Sequence, residues 1–371
     1  MKKLKAYKFR LYPNKTQEVL LNKTFGCVRY FWNSQVQAFN NSEGFKTSTT
    51  LRNELEWMKE VSAAAIQQKE IDFKQFKKQF FNTKRKVKLN RPNFKKKSSS
   101  QSYRLPNQKF KINENRIQLE KIGKIKFVQD RSFPENYKFI SATISRNSSD
   151  QYFVSILVEQ EIKYFEKTQK EVGIDVGVKS FSVQSDGIEI CNPKFFSKNQ
   201  AKLKRLQQHF SRKTKGSNRR EKCRKKISRL YQKITNQRDY FLHNYSSFLI
   251  KNYDFIAIED LNVKDLLEKK LMSKEISDVS WSKFFQMLEY KADWYGKTLH
   301  KIDRYFASSK TCSKCNYVYE DLKLSERKWE CKSCGEIHDR DLNASKNIIK
   351  SARVKAVKTN VETEVTRSMK R

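Results

Sequence analysis

The stretch EVGIDVGVKSFSVQSDG, residues 171–187, decides how the second half of this chain folds. It reads as a mostly apolar strand, a glycine, a second strand and a Ser-Asp-Gly turn, the opening of a new α/β domain near Lys170. Asp175 lies near the end of the first strand, with Gly177 leaving space beside it. A buried carboxylate costs several kcal/mol, in order of magnitude, unless it is paired or binds a metal. For one strand-end acid, a turn or helix-cap role is the more ordinary reading. A second acid in a matching context changes that. FIAIEDL, residues 255–261, is a continuous apolar strand of the kind buried on both faces of a sheet, and Glu259 ends it. With no His-rich site in the chain, two such acids favour Mg²⁺ held by oxygen ligands. A third carboxylate beside them would complete a two-metal site for phosphodiester hydrolysis. The candidate stretch is IHDRDLNASKNI, residues 337–348, which looks like the first turns of a helix. On its residues alone, Asp339 or Asp341 simply caps that helix, with Ala344, Ile348 and Ile349 on the buried side.

Between these strands, residues 201–250 read as helical and intensely basic, with fourteen Lys or Arg against one acid from Ala201 to Thr235. Trp281 to Tyr295 reads as an amphipathic helix stopped at Gly296, and TLHKID as the next strand. Towards the N-terminus, YKFRLYPN alternates apolar and basic residues as a strand closed by Pro13, and a helix follows that Asn14 or Thr16 can cap. A second helical block runs from about Leu51 to Phe81, with a new helix starting at Ser62. KKKSSS, Lys95 to Ser100, reads as a flexible basic connection. Short, evenly spaced strands from Tyr103 to Ile162 predict a small β-barrel that the N-terminal strand joins.

The four clustered cysteines form two C-x2-C knuckles, Cys312/Cys315 and Cys331/Cys334, separated by fifteen residues. Four thiolates at this spacing predict one structural Zn²⁺ with no open position, so that metal does no chemistry. The other three cysteines are scattered, which argues against a disulfide framework and for a reducing compartment. A formal net charge of +39 over 371 residues self-repels unless a polyanion neutralises it. With 13% aromatic residues to stack on unpaired bases, nucleic acid is the expected partner. An anionic membrane is disfavoured by the lack of a basic amphipathic helix with a clean apolar face or a lipidation signal, and no apolar run approaches spanning length. The expected location is the cytoplasm of a bacterium or archaeon, associated with the nucleoid.

YKFRLYPNKTQEVLL, GIDVGVKSF, AIEDLNVKDLL, DVSWSKFFQMLEYKADWYGK, SSKTCSKC and CKSCGEIHDRDLNASKNI, in this order, resemble the TnpB family of transposon-encoded proteins, relatives of the compact type V CRISPR effectors. The resemblance spans nearly the whole chain. It implies an α/β RNase H-like (RuvC) nuclease domain, residues 166–307 and 338–350, interrupted by a zinc ribbon at 308–337. It also implies a wedge β-barrel, 1–12 and 101–165, interrupted by an all-helical recognition domain at 13–100, with a poorly ordered basic tail at 351–371. Asp175, Glu259 and Asp341 fall on the family's catalytic acids and would hold two Mg²⁺ ions, leaving Asp339 as a neighbour or cap. Asn316 stands where a glycine often follows the first knuckle, and Ala307 where a proline is common. The implied activity is RNA-guided double-strand cleavage of DNA, with a structured guide RNA and a target-adjacent motif directing one nuclease site in a monomer bound to RNA. A type V CRISPR effector would share every motif, a strand-transfer transposase would use the same acids, and a non-enzymatic zinc-ribbon regulator would leave those acids unexplained.

Overall fold

The strand β1 (Lys2–Tyr12) turns Tyr7, Phe9 and Leu11 into a core and leaves Lys8 exposed and Arg10 half-buried on the opposite face, as a period of two requires. It opens a computed structural model that describes residues 1–85, 87–268, 273–323 and 325–368. The helix α1 (Lys15–Asn40) follows, and Asn14 caps it reciprocally: its Oδ1 accepts from the Gln17 amide at 2.8 Å, and its own amide donates to Gln17 Oε1 at 3.1 Å. Next come α2 (Ser48–Glu54) and α3 (Ala63–Phe80), the latter starting after Ser62. Six antiparallel strands then build the sheet: β2 (Gln101–Pro106), β3 (Phe110–Asn113), β4 (Arg116–Leu119), β5 (Gly123–Val128), β6 (Tyr137–Arg146) and β7 (Tyr152–Glu161). β1 joins them between β7 and β5, and the order is β2-β6-β7-β1-β5-β4-β3.

The seven-stranded sheet and the helices share one core. Phe9, Phe127, Ile144 and Ile156 from the strands pack with Leu21, Phe25, Phe31 and Ile66 from the helices. The connection expected to be flexible is held down instead. Asn33 accepts from the Lys95 amide at 2.8 Å and donates to the Lys95 carbonyl at 3.1 Å, while Gln101 donates to the Ser99 carbonyl at 2.8 Å. Side-chain amides thus satisfy a backbone that has no ladder of its own.

By contact, the chain divides into Met1–Ile162 with Arg224–Ser228, and the remainder. The second unit is built on a five-stranded sheet of order β10-β9-β8-β11-β12. Its members are β8 (Glu171–Val176), β9 (Ser180–Gln184), β10 (Glu189–Cys191), β11 (Phe255–Glu259) and β12 (Thr298–Ile302). β8, β11 and β12 are mutually parallel, while β9 pairs antiparallel with both β8 and β10. The basic helical stretch is two helices, α4 (Phe195–Ser211) and α5 (Asn218–Asn252). They are followed by α6 (Val263–Glu268), α7 (Ser273–Val279) and α8 (Trp281–Tyr295), which ends where Gly296 takes a left-handed φ of 69°. A short hairpin, β13 (Lys328–Glu330) and β14 (Ile337–Asp339), precedes α9 (Arg340–Ser368).

Alternation places the acids. Val172, Ile174, Ile256 and Ile258 pack with Leu242, Leu249, Phe284 and Leu288 of α5 and α8 on one face of the sheet. Residues of opposite parity face the other way, where Ala257 and Ile302 pack with Ile348, Ile349 and Ala352 of α9. This is why FIAI carries no polar residue: both of its faces are covered. α9 lies very close to β8. A Cβ on Gly173 would collide with the Ser345 carbonyl oxygen and sit 2.8 Å from the Ile349 amide, so only glycine allows the approach. Gly173→Ala is expected to cost at least the ~1–3 kcal/mol typical of overpacking, visible as a lowered midpoint in chemical unfolding. α9 runs on to Ser368, through most of the tail that begins at Ser351. No glycine or proline interrupts residues 340–368, so nothing local stops it, while the last three residues of that tail lie outside the described residues.

Candidate active site

Asp175 and Glu259 each follow the last paired residues of the β8–β11 ladder, Ile174 and Ile258, and so project from neighbouring parallel strands onto the α9 side. Asp341 enters from the first turn of α9. All three are half-buried. Their charges meet in the Asp175 carboxyl, which is raised well above the ordinary aspartate range, first by burial and then by the Glu259 and Asp341 carboxylates, with Arg340 and Arg327 opposing. Burial also raises Glu259, against the lowering effect of a hydrogen bond from the Ser308 hydroxyl. The carboxylates do not all lie within 4.8 Å of one another. Asp341 is instead held by Arg327, whose Nη1 donates to its two oxygens at 2.8 and 2.6 Å, and by Arg340 Nε at 3.2 Å. A cation at this site must compete with those two guanidinium groups.

Asp339 behaves differently. It is exposed, and its Oδ1 accepts from the amides of Asp341 and Leu342, both at 3.1 Å. That is the geometry of an N-cap satisfying two of the first free amides of a helix. The two aspartates of the Asp-Arg-Asp run therefore part: one closes the helix end, the other lines a cleft of about 810 Å³ that also contains Asp175. Lys179, Lys194, Lys310, Lys323, Arg327 and Arg340 line the same cleft. A cationic rim around a carboxylate floor suits a polyanion brought to a cation-binding centre.

The elevated acids set a pH dependence. A carboxyl whose pKa is higher folded than unfolded gives its full stability below the unfolded pKa of about 4 and loses it as pH rises through the folded value. Without divalent cation at the acids, Asp175→Asn is thus expected to melt above wild type, by a margin that grows with pH from about 4 through the raised Asp175 value. Thermal unfolding at several pH values, in buffer free of both Mg²⁺ and chelator, measures it.

The cysteines converge as their spacing predicts. Cys312 and Cys334 sulfurs lie 3.7 Å apart and Cys315 and Cys331 sulfurs 3.6 Å apart, and all four fall within 4.8 Å of one another. Those separations match the edge of a tetrahedron with metal–sulfur bonds of about 2.3 Å, so the donor set fits Zn²⁺. The Tyr317 amide favours the Cys315 thiolate, bringing it down to about 6. Cys334, although the Glu336 amide acts to lower it, is pushed up to about 12 by burial and by the neighbouring thiols, so the metal-free cluster shares protons that a cation would displace. After each knuckle the backbone turns left-handed, at Asn316 (φ 65°) and Gly335 (φ 69°). Asn316 thus meets the conformational demand of the glycine it stands for, since asparagine tolerates this region.

Three residues escape a reading of the sequence. His338 places Nε2 3.0 Å from Cys312 Sγ, with its ring 4.7 Å from that of Trp329. Buried Asn343 and Asn347 of α9 bind the base of the cysteine-bearing segment: Asn343 accepts from the Ser313 amide at 2.9 Å and donates to the Thr311 carbonyl at 2.7 Å, and Asn347 donates to the Ser308 carbonyl at 2.8 Å. The available signal is their i,i+4 spacing on the same stripe as Ala344 and Ile348.

Three family profiles match the chain: "Probable transposase" (OrfB of IS605) over residues 155–270, "Cas12f1-like, TNB domain" over 281–348, and "Helix-turn-helix domain" over 1–37, a region that here is one strand and one long helix. A Streptomyces pristinaespiralis protein named "Putative RNA-guided DNA endonuclease" is 35% identical over 360 residues, covering 93% of this chain and 88% of that protein. Escherichia coli "Putative RNA-guided DNA endonuclease InsQ" is 29% identical, covering 94% and 92%. Among solved structures, a chain of the Cas12f1-sgRNA-target DNA complex aligns with a TM-score of 0.52 at 16% identity, covering 90% of this chain and 82% of its own, which establishes a shared fold. With such identity maintained across nearly the full length of both sequences, the chain belongs to the TnpB family, the OrfB group of IS605-type transposon proteins.

Proposed function

We propose that this protein is a transposon-encoded, RNA-guided DNA endonuclease in which one RuvC-like site cuts both strands of a target. The observation that carries the reading is the convergence of three acids from two adjacent parallel strands and a packed helix: Asp175 and Asp341 line one cation-rimmed cleft, and the Glu259 charge acts on Asp175 beside it. The sheet order, three antiparallel strands extended by two parallel ones, with helices on both faces, supports an RNase H-like assignment for 166–307 and 338–350. The sulfur geometry supports a zinc ribbon at 308–337, and the seven-stranded sheet supports a wedge barrel of 1–12 and 101–165 around the helical recognition segment 13–100.

Asp175, Glu259 and Asp341 would hold two Mg²⁺ ions, whose chemistry is to activate water and to stabilise the departing oxygen of a phosphodiester. The chain's own contribution is placement. Parallel pairing fixes Asp175 beside Glu259, Gly173 admits α9, and Asp339 sets the helix start so that Asp341 faces the cleft. The lysines and arginines of the rim bind the phosphate backbone, and the wider excess of +39 charges neutralises guide RNA and the displaced strand. Sequence selection falls to guide pairing, and the protein reads a short motif on the duplex.

Sequencing the RNA that copurifies with the protein, then offering a plasmid matched to that guide with Mg²⁺, tests the proposal. A defined RNA and guide-dependent double-strand breaks are expected. Binding of no defined RNA would sink the reading. The profile name "Probable transposase" favours a second reading, strand transfer. It predicts joined DNA products, where a nuclease leaves only breaks.

A further inference from the structure

Every polar group of Ser308 is engaged. Its amide donates to the Phe306 carbonyl at 2.8 Å, its carbonyl accepts from Asn347 Nδ2 at 2.8 Å, and its hydroxyl donates to Glu259 Oε1. The residue is 5% exposed, and Asn347 is 2% exposed. Asn347 sits on α9, the helix whose first turn carries Asp341, and Glu259 ends β11. Ser308 therefore spans the gap between the elements that deliver two of the three acids. A glutamate side chain has three rotatable bonds and, at a strand end, no backbone constraint beyond its Cβ. A hydroxyl whose own residue is fixed by two backbone hydrogen bonds removes that freedom.

We infer that Ser308 is a positioning residue for the divalent-cation site: its hydroxyl holds Glu259 in the orientation that ligates, and Asn347 holds Ser308. This rests on the metal-dependent nuclease reading above. It assigns work to the serine that begins SSKTC, four residues before the first zinc-type cysteine, and adds to the Arg327–Asp341 pair a second link between the cysteine-bearing segment and the catalytic acids. A hydrogen-bonded partner of a ligating carboxylate typically accounts for about 10–100-fold in metal affinity.

The test compares the ribonucleoprotein of wild type, Ser308→Ala and Ser308→Thr. For Ser308→Ala, the Mg²⁺ concentration giving half-maximal plasmid cleavage is expected to rise by about 10–100-fold, with cleavage recovered at saturating Mg²⁺. Ser308→Thr, which keeps the hydroxyl, should stay close to wild type. A second readout does not depend on DNA cleavage. Fe²⁺ with ascorbate and peroxide cuts polypeptide beside a bound divalent ion, and fragments ending near Asp175 and Glu259 should need correspondingly more Fe²⁺ in Ser308→Ala alone. An unchanged Mg²⁺ requirement in Ser308→Ala overturns the inference, as does equal impairment of both variants, which would make the hydroxyl irrelevant. If wild type itself yields neither Mg²⁺-dependent cleavage nor Fe²⁺ fragments near these acids, the metal-site reading fails instead.

Discussion

Asp175→Ala and Asp341→Ala are each expected to reduce guided cleavage on the order of 10³-fold or more, because the several kcal/mol that bound cations contribute convert at about 1.4 kcal/mol per tenfold in rate. Guide RNA binding should persist, since neither substitution removes a cationic side chain of the cleft. Asp339→Ala makes the sharper comparison. It removes the acceptor for two helix-start amides, so it should cost about 0.5–2 kcal/mol of stability and little activity. Plasmid cleavage under single-turnover conditions, alongside electrophoretic measurement of RNA binding, separates the two effects. The assignment collapses should Asp339→Ala be inactive while Asp341→Ala cleaves at the wild-type rate.

Removing zinc is expected to have the largest structural effect. Structural Zn²⁺ contributes roughly 10–16 kcal/mol of apparent binding energy in small finger domains. Here the metal would replace a sizeable core, for among the described residues of the cysteine segment the buried apolar cluster is Cys312, Leu322, Trp329 and Cys331, with Tyr319 and Cys334 partly buried against it. Chelation, or Cys331→Ser, should leave 308–337 open to protease while the five-stranded sheet keeps its protection, because α9 packs on β8 through Gly173 and on Ala257 independently of the cysteines. Cleavage should fall as well. Arg327, which holds Asp341, and Ser308, which holds Glu259, both belong to the segment that would unravel. Metal analysis should give one zinc per chain, and limited proteolysis with mass spectrometry locates the opened region. Retention of protease resistance after complete zinc loss would contradict this account.

Much of the architecture was legible because its signals are local. Strand parity in EVGIDV and FIAIE, the glycine that stops α8, the Asn14 cap and the two knuckles each depend on residues a few positions apart. Other features were not. β2 follows a serine run and ends in Pro106, with only Tyr103 and Leu105 as its apolar alternation, yet β6 pairs with it over its whole length. The break between α4 and α5 sits inside one continuous basic stretch. Asn343, Asn347, Ser308 and His338 look like ordinary polar residues until their partners, between 26 and 49 positions away, arrive.

By itself the sequence marked the candidates: two carboxylates at the ends of apolar strands, a third at a helix start, four thiols at ligand spacing, and a charge that favours a polyanion. The family resemblance already put the catalytic role on Asp341; what only the tertiary structure decided is the geometry that separates the two aspartates of Asp-Arg-Asp, Asp339 on the helix-start amides and Asp341 lining the cleft. Capping and cleft-facing acids have the same side chain and differ by two positions, about 200° around a helix axis. The outcome depends on where α9 starts, which the Asp339 cap marks, and on how closely it meets β8, which the missing Cβ at Gly173, far away in sequence, permits.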